Sequence, residues 1–157
     1  MASKRVETAK KYIDHFATLD TQILESILAD DYSHEFGPAS IQHLTPPSFD
    51  KRGKIEHMQR LRRILSGFPV TAKQYIDSEE SNKVVIWATS KTVFRAEAMD
   101  DSISPSEWEF NGEYLFILSM DANGDKITRT VEFLDSKETV DKLLVLMKKA
   151  NENLQKG

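Results

Sequence analysis

The sequence predicts an α+β fold: a cone-shaped, curved antiparallel sheet packed on three N-terminal helices, with a further helix at the C-terminus. Three observations predict it. Apolar residues recur at helical spacing over the first third of the chain, alternating runs dominate from about residue 70, and a capped helical stripe returns after residue 135. Two of the alternating runs are much longer than the ~5–6 residues of a typical strand, and long antiparallel strands twist and curl. A curled sheet with helices on one face leaves a cone with an open end, and a small molecule would sit inside it.

Each element has a local reason. Val6, Ala9, Ile13, Phe16 and Ala17 form the apolar stripe of a first helix, with Ser3 as its cap. Ile23, Leu24, Ile27 and Leu28 mark a short second helix, capped by Asp20 or Thr21. In Tyr32-Ser33-His34-Glu35-Phe36 the rings alternate, which predicts a short strand with Tyr32, His34 and Phe36 on one face. Gly37-Pro38 and Pro46-Pro47 bracket an irregular loop, and its Ile41 and Leu44 would suit a lid over the cone mouth. Asp50 caps a third helix whose apolar side is Ile55, Met58, Leu61 and Leu65, and Gly67 and Pro69 stop it. Strands follow at about Val70 to Asp77, Lys83 to Ala98, Glu107 to Met120 and Lys126 to Asp135. Asp121-Ala122-Asn123-Gly124-Asp125 is the turn between the last two. Asp135-Ser136-Lys137-Glu138 is close to a capping box, and Val140, Leu143, Leu144, Met147 and Leu154 continue the last helix.

The chain has 157 residues, which fits one domain spanning 1–157. A net charge of −4 argues against a nucleic-acid binder. The absence of cysteine removes disulfides, thiolate catalysis and cysteine metal sites. The N-terminal residues carry no apolar signal core, and no run of about 18 apolar residues exists to enter a membrane, so a cytoplasmic protein is expected. The four histidines show no metal-binding spacing, and neither a Gly-x-Ser-x-Gly elbow nor a Gly-x-Gly-x-x-Gly loop is present. No metal and no cofactor are expected.

Several polar residues sit where chemistry could occur. Glu132 lies in the run Val131-Glu132-Phe133-Leu134. Inside the cone, burial would disfavour its charged form and suit it to proton transfer. On the outer face it would pair with a cation such as Arg129. Alternation leaves both readings open, because Val131 and Phe133 are apolar too. Trp108, Phe110, Gly112, Tyr114, Phe116 and Leu118 share a face that should line the interior. There the Tyr114 phenol would hold a substrate oxygen or bond to backbone. On the opposite face Leu115 and Ile117 suit a homodimer contact. His34, between Tyr32 and Phe36, is a neutral core group or a proton shuttle. His57 lies at the edge of the third helix's apolar arc. His15 and His43 read as surface groups. Lys51, Arg52, Lys54, Arg60, Arg62 and Arg63 make the third helix basic, which reads as a solvated face. Arg95 and Arg129 would pair with Glu97, Glu109 or Glu132.

The helix pair ending in Leu28-Ala29-Asp30-Asp31-Tyr32-Ser33-His34, the third helix, Asn111-Gly112-Glu113-Tyr114-Leu115-Phe116 and Glu132-Phe133-Leu134-Asp135-Ser136 together resemble the SnoaL-like branch of the nuclear transport factor 2-like superfamily, in its fungal secondary-metabolism members. The resemblance implies a cofactor-free isomerase, cyclase or dehydratase acting on an apolar, polyketide- or terpenoid-like metabolite. It places the acid of related pockets at Glu132, with Tyr114 and His34, read from their strand faces, and His57 on the third helix as its partners. Tyr32, Phe36, Trp108, Phe110 and Phe116 would contact the ligand. The likeness to dehydratases of the superfamily makes Tyr32 with His57 an alternative acid–base pair. Phe110 stands where a second pocket tyrosine is expected, and no arginine lies near Pro38-Ala39. Two readings compete with an enzyme: a passive small-ligand binder, and a dimeric module holding a protein partner on its outer sheet face.

Overall fold

The computed structural model describes residues 1–157. Its elements run α1 (Lys4–His15), α2 (Thr21–Ile27), β1 (Leu28–Gly37), α3 (Lys51–Leu61), β2 (Leu65–Gly67), β3 (Val70–Ser78), β4 (Lys83–Phe94), β5 (Phe110–Met120) and β6 (Ile127–Leu134). A helical turn α4 (Ser136–Glu138), a π-helical turn (Thr139–Leu143) and α5 (Leu144–Lys156) complete the chain. The predicted α+β cone is what the chain forms. No helix is long and apolar enough to cross a membrane.

The helix starts follow local chemistry. Ser3 Oγ accepts from Val6 N–H at 3.2 Å, Asp20 Oδ1 from Gln22 N–H at 2.8 Å, and Asp50 Oδ1 from Gly53 N–H at 2.7 Å. Asp135 Oδ1 accepts from Glu138 N–H at 3.2 Å and starts α4 directly after β6. Each cap satisfies an amide that the first turn leaves without a carbonyl.

The sheet order is β1-β6-β5-β4-β2, with β3 also pairing β4. Four details differ from the sequence reading, the simplest being that β4 ends at Phe94 rather than Ala98, because Ala96–Ala98 winds into a 3₁₀ turn. The first strand is 10 residues long, and it pairs in parallel with β6, setting His34 opposite Thr130 and Phe36 opposite Glu132. No hairpin joins those strands, so the intervening chain leaves their relative direction free. Helix α3 ends at Leu61, and Leu65 belongs instead to β2 on the edge of β4. Trp108 lies in a 3₁₀ turn, Pro105–Trp108, in which the Glu107 carboxylate accepts from Ser104 N–H at 2.7 Å.

Alternation sorts the two sheet faces. On β5, Phe110, Gly112, Tyr114, Phe116, Leu118 and Met120 are buried against the helices. On β6, Thr130 and Glu132 point inward, while Arg129 and Phe133 are exposed. The outer face carries a row of apolar cross-strand neighbours: Trp87 (40% exposed), Leu115 (45%) and Phe133 (45%). Val85, Ile117 and Val131 form the adjoining row.

Candidate functional site

The cone holds a cavity of about 360 Å³. Its walls are largely apolar: Phe16 and Leu19 after α1, Met58 and Leu61 on α3, and Leu143 and Met147 on the far side. Leu44, Thr45 and Pro46 of the loop after β1 complete the lining. Among these walls stand Glu132, Lys54, His57, Tyr114 and Thr139. Thr139 opens the π-helical turn, and its buried Oγ1 has no hydrogen-bond partner. Such turns recur at functional sites because they displace backbone and side chains from the regular ladder.

Glu132 faces the interior and is 8% exposed. Its Oε1 stands 3.3 Å from His34 Nε2, out of line for a hydrogen bond in this resting geometry. Behind it runs a chain of polar groups. His34 Nδ1 is 3.0 Å from Tyr32 Oη, and Tyr32 Oη lies 2.8 Å from Thr130 Oγ1. The parallel register of β1 on β6 places these side chains together. Arg129, the cation that would have held Glu132 on the outside, pairs with Glu35. Arg95 likewise has a different partner from the one expected, and its Nε donates to the Arg62 carbonyl at 2.6 Å.

Burial sets the protonation of this group. His34 is pushed down to about 4, first by burial and then by the charge of Lys54. It is therefore neutral near pH 7, with one ring nitrogen a donor and the other an acceptor. His57 is pushed down to about 3 by burial, then by Lys54 and Arg60. Its ring packs on Phe49 at 4.9 Å and Phe36 at 6.4 Å between centroids. Burial also raises the Tyr32 and Tyr114 phenols, so both stay protonated. Tyr114 Oη is 3.0 Å from Ser90 Oγ, which itself accepts from Gly112 N–H at 3.2 Å. If the Ser90 hydroxyl donates to Tyr114, the Tyr114 proton is free to point into the cavity.

The remaining residues singled out from sequence fall in two places. Phe36 lines the cavity. Tyr32, Phe110 and Phe116 are buried behind its lining, with Phe116 stacked on Tyr114 at 5.6 Å. Trp108 packs against Phe94 at 5.3 Å, away from the lining, and its Nε1–H donates to the Asp100 carbonyl at 3.2 Å. The Tyr32 hydroxyl faces His34 and Thr130, so the expected Tyr32–His57 pair has no direct contact. His15 is a correction. It is fully buried between Tyr12 and Phe16 rather than on the surface, because it ends α1 on the helix's apolar side. His43 is exposed.

Lys54 is a second correction. It belongs to the charged run of α3 but is 1% exposed, with Nζ 5.4 Å from the Phe16 ring centroid and 5.7 Å from that of Tyr12. Burial lowers it to about 8, partly offset by Glu132. The signal was its spacing: Lys54 lies three, four and seven residues before His57, Met58 and Leu61.

No described protein family and no curated protein sequence matches this chain. Solved structures do. AusH from Aspergillus nidulans is 22% identical, with a TM-score of 0.68 over 87% of this chain and 86% of that one. The BvnE pinacolase from Penicillium brevicompactum is 16% identical, with a TM-score of 0.76 over 94% and 96%. An NTF2-like protein of unknown function from Burkholderia pseudomallei is 11% identical, with a TM-score of 0.68 over 90% and 98%. The cone described above is therefore the nuclear transport factor 2-like fold, shared with these fungal and bacterial structures.

Proposed function

We propose that this protein is a cofactor-free acid–base catalyst, of isomerase, cyclase or dehydratase type, acting on a small apolar metabolite of polyketide or terpenoid character. One observation carries the reading: a single carboxylate, Glu132, stands in an apolar cavity with a neutral histidine, His34, 3.3 Å behind it. The cavity volume of about 360 Å³ falls in the range of small-molecule sites. The likeness in fold to a pinacolase supports the same reading.

In this scheme Glu132 takes a proton from the ligand. His34 Nδ1 is held by the Tyr32 hydroxyl, which itself donates to Thr130 Oγ1, and this fixes the imidazole orientation while Glu132 changes charge. Tyr114 donates to the ligand oxygen that gains negative charge. His57, neutral at the cavity wall, offers a ring nitrogen to hydrogen-bond a second position of the ligand. Phe36 and the apolar walls exclude water, which strengthens each of these interactions.

A second copy of the chain is the expected partner on the outer sheet face. The exposed row Trp87, Leu115 and Phe133, continuous with Val85, Ile117 and Val131, supports a self-complementary apolar contact.

The test needs no knowledge of the substrate. The protein is incubated in deuterated buffer with 2-tetralone, an apolar ketone, and deuterium uptake next to the carbonyl is followed by NMR. Wild type is expected to accelerate uptake, and Glu132→Gln to remove roughly 10²–10⁴-fold of that rate. Binding of 2-tetralone without any acceleration would identify a passive ligand binder instead.

A further inference from the structure

We propose that Lys54 is the oxyanion anchor of this cavity, and that the compound bound there carries an enolisable carbonyl group. The inference rests on the proton-transfer reading of Glu132 and assigns the other end of the reacting ligand.

The geometry of Lys54 is unlike that of its neighbours. Lys51, one turn earlier on α3, donates to the carbonyls of Glu25 at 3.0 Å and Leu28 at 3.1 Å. Lys54 is 1% exposed, makes no hydrogen bond, and has no carboxylate within the 4.0 Å of an ion pair. Its ammonium lies against the rings of Phe16 and Tyr12, and the residue lines the cavity. A buried cation without an acceptor is costly, so one that persists at a cavity wall calls for a partner that the ligand supplies. The titratable groups around it are Glu132, His57 and Tyr114 in the lining, with His15, His34 and Tyr12 behind. The three histidines are held neutral by burial, so Lys54 is the only cation lining the cavity.

Charge balance selects the ligand class. The resting cavity holds one carboxylate and one ammonium, too far apart to form an ion pair. A ligand that arrives as a carboxylate would add a second negative charge beside Glu132. A neutral carbonyl compound adds none. When Glu132 takes the proton on the carbon next to the carbonyl, the C–H electron pair becomes the new C=C bond. The carbonyl π pair then moves onto oxygen. The negative charge thus leaves Glu132 as it appears on the ligand, where the Lys54 ammonium and the Tyr114 phenol receive it. Where the ligand carries a C=C one bond beyond that carbon, the product is a dienolate, and return of the proton from Glu132 to its γ carbon shifts the double bond, restores C=O and completes an isomerisation with no co-reactant.

The test uses 2-naphthol, whose phenolate resembles an enolate, and naphthalene, which has no ionisable oxygen. Both are titrated into wild type, Lys54→Met and Lys54→Gln, and the phenolate absorbance of bound 2-naphthol is followed against pH. In wild type the ionisation midpoint of bound 2-naphthol is expected to lie about one pH unit or more below that in both variants, a tenfold change in the equilibrium. Naphthalene is expected to bind all three proteins alike, which shows that the variants are folded. Equal midpoints with naphthalene still bound would overturn the role of Lys54 and leave that of Glu132 standing. Failure of both 2-naphthol and naphthalene to bind wild type would overturn both roles, because the cavity would then take no apolar aromatic ligand.

Discussion

Replacing Lys54 by methionine should make the protein more stable. The side chain is buried on α3 with no acceptor, and its pKa falls from 10.5 to about 8 because burial disfavours the charge. At about 1.36 kcal/mol per unit, that displacement means the charged lysine holds the fold roughly 3 kcal/mol below the same fold with a neutral side chain. The sign follows from proton binding. Between about 8 and 10.5 the unfolded chain binds more protons than the folded one, so stability rises with pH through that window. Methionine keeps an apolar stem over Phe16 and Tyr12 and removes the charge. Urea unfolding of wild type and Lys54→Met near pH 7 should therefore differ by up to about 3 kcal/mol, or roughly 6–12 °C in melting temperature for a chain of this size. The difference should shrink as pH rises through the window. A variant equal to or less stable than wild type near pH 7 would refute the reasoning, because it would mean that the ammonium already has a partner. A stability cost kept at a cavity wall fits a residue retained for what it does to a ligand.

Three further outcomes are expected. His34 and His57, displaced from 6.5 to about 4 and about 3, contribute stability that is fully present above about pH 6.5 and is lost as pH falls through the folded values. Chemical denaturation should show that decline, and imidazole NMR midpoints near the free value would contradict it. Gly112→Ala should displace Tyr114, because a Cβ there would collide with Tyr114 Oη and stand 2.8 Å from Ser90 Oγ. The expected cost is about 1–3 kcal/mol, the range for overpacking, and an unshifted melting temperature would show that the strand yields instead. Leu115→Arg, at the middle of the exposed outer row, should convert a dimer to a monomer in sedimentation, whereas an unchanged mass would place any self-contact elsewhere.

Much of the fold was legible because its signals are local. Ser3, Asp20, Asp50 and Asp135 all cap the helices they precede, and a cap requires only the next few amides. The inward set on β5 followed from alternation alone. What was not legible depends on distant partners. Leu65 reads as the last apolar position of α3, yet it pairs with Phe94. Trp108 fits the period of β5, but Pro105 and the Glu107 side chain bend that segment into a 3₁₀ turn. Neither competing arrangement can be ranked without knowing which strand edge is free.

The candidate site shows the same division. Tyr32, His34 and Phe36 could be placed on one face of one strand, and Glu132 on another strand, but no sequence pattern said that those strands are neighbours. The parallel pairing of β1 with β6 turns two separate patterns into one polar chain, by setting His34 opposite Thr130 and Phe36 opposite Glu132. A one-residue slip would turn Tyr32 and His34 to the other face of the sheet and dissolve the chain. Lys54 was concealed differently. Grouped by charge it belongs with Lys51, Arg52 and Arg60, whereas grouped by helical angle it belongs with His57, Met58 and Leu61. The fold follows the angle, because the apolar arc decides which face of α3 is buried and carries the ammonium in with it. The carboxylate and the cation of the cavity therefore come from two elements whose sequences, taken separately, read as an ordinary strand and an ordinary basic helix.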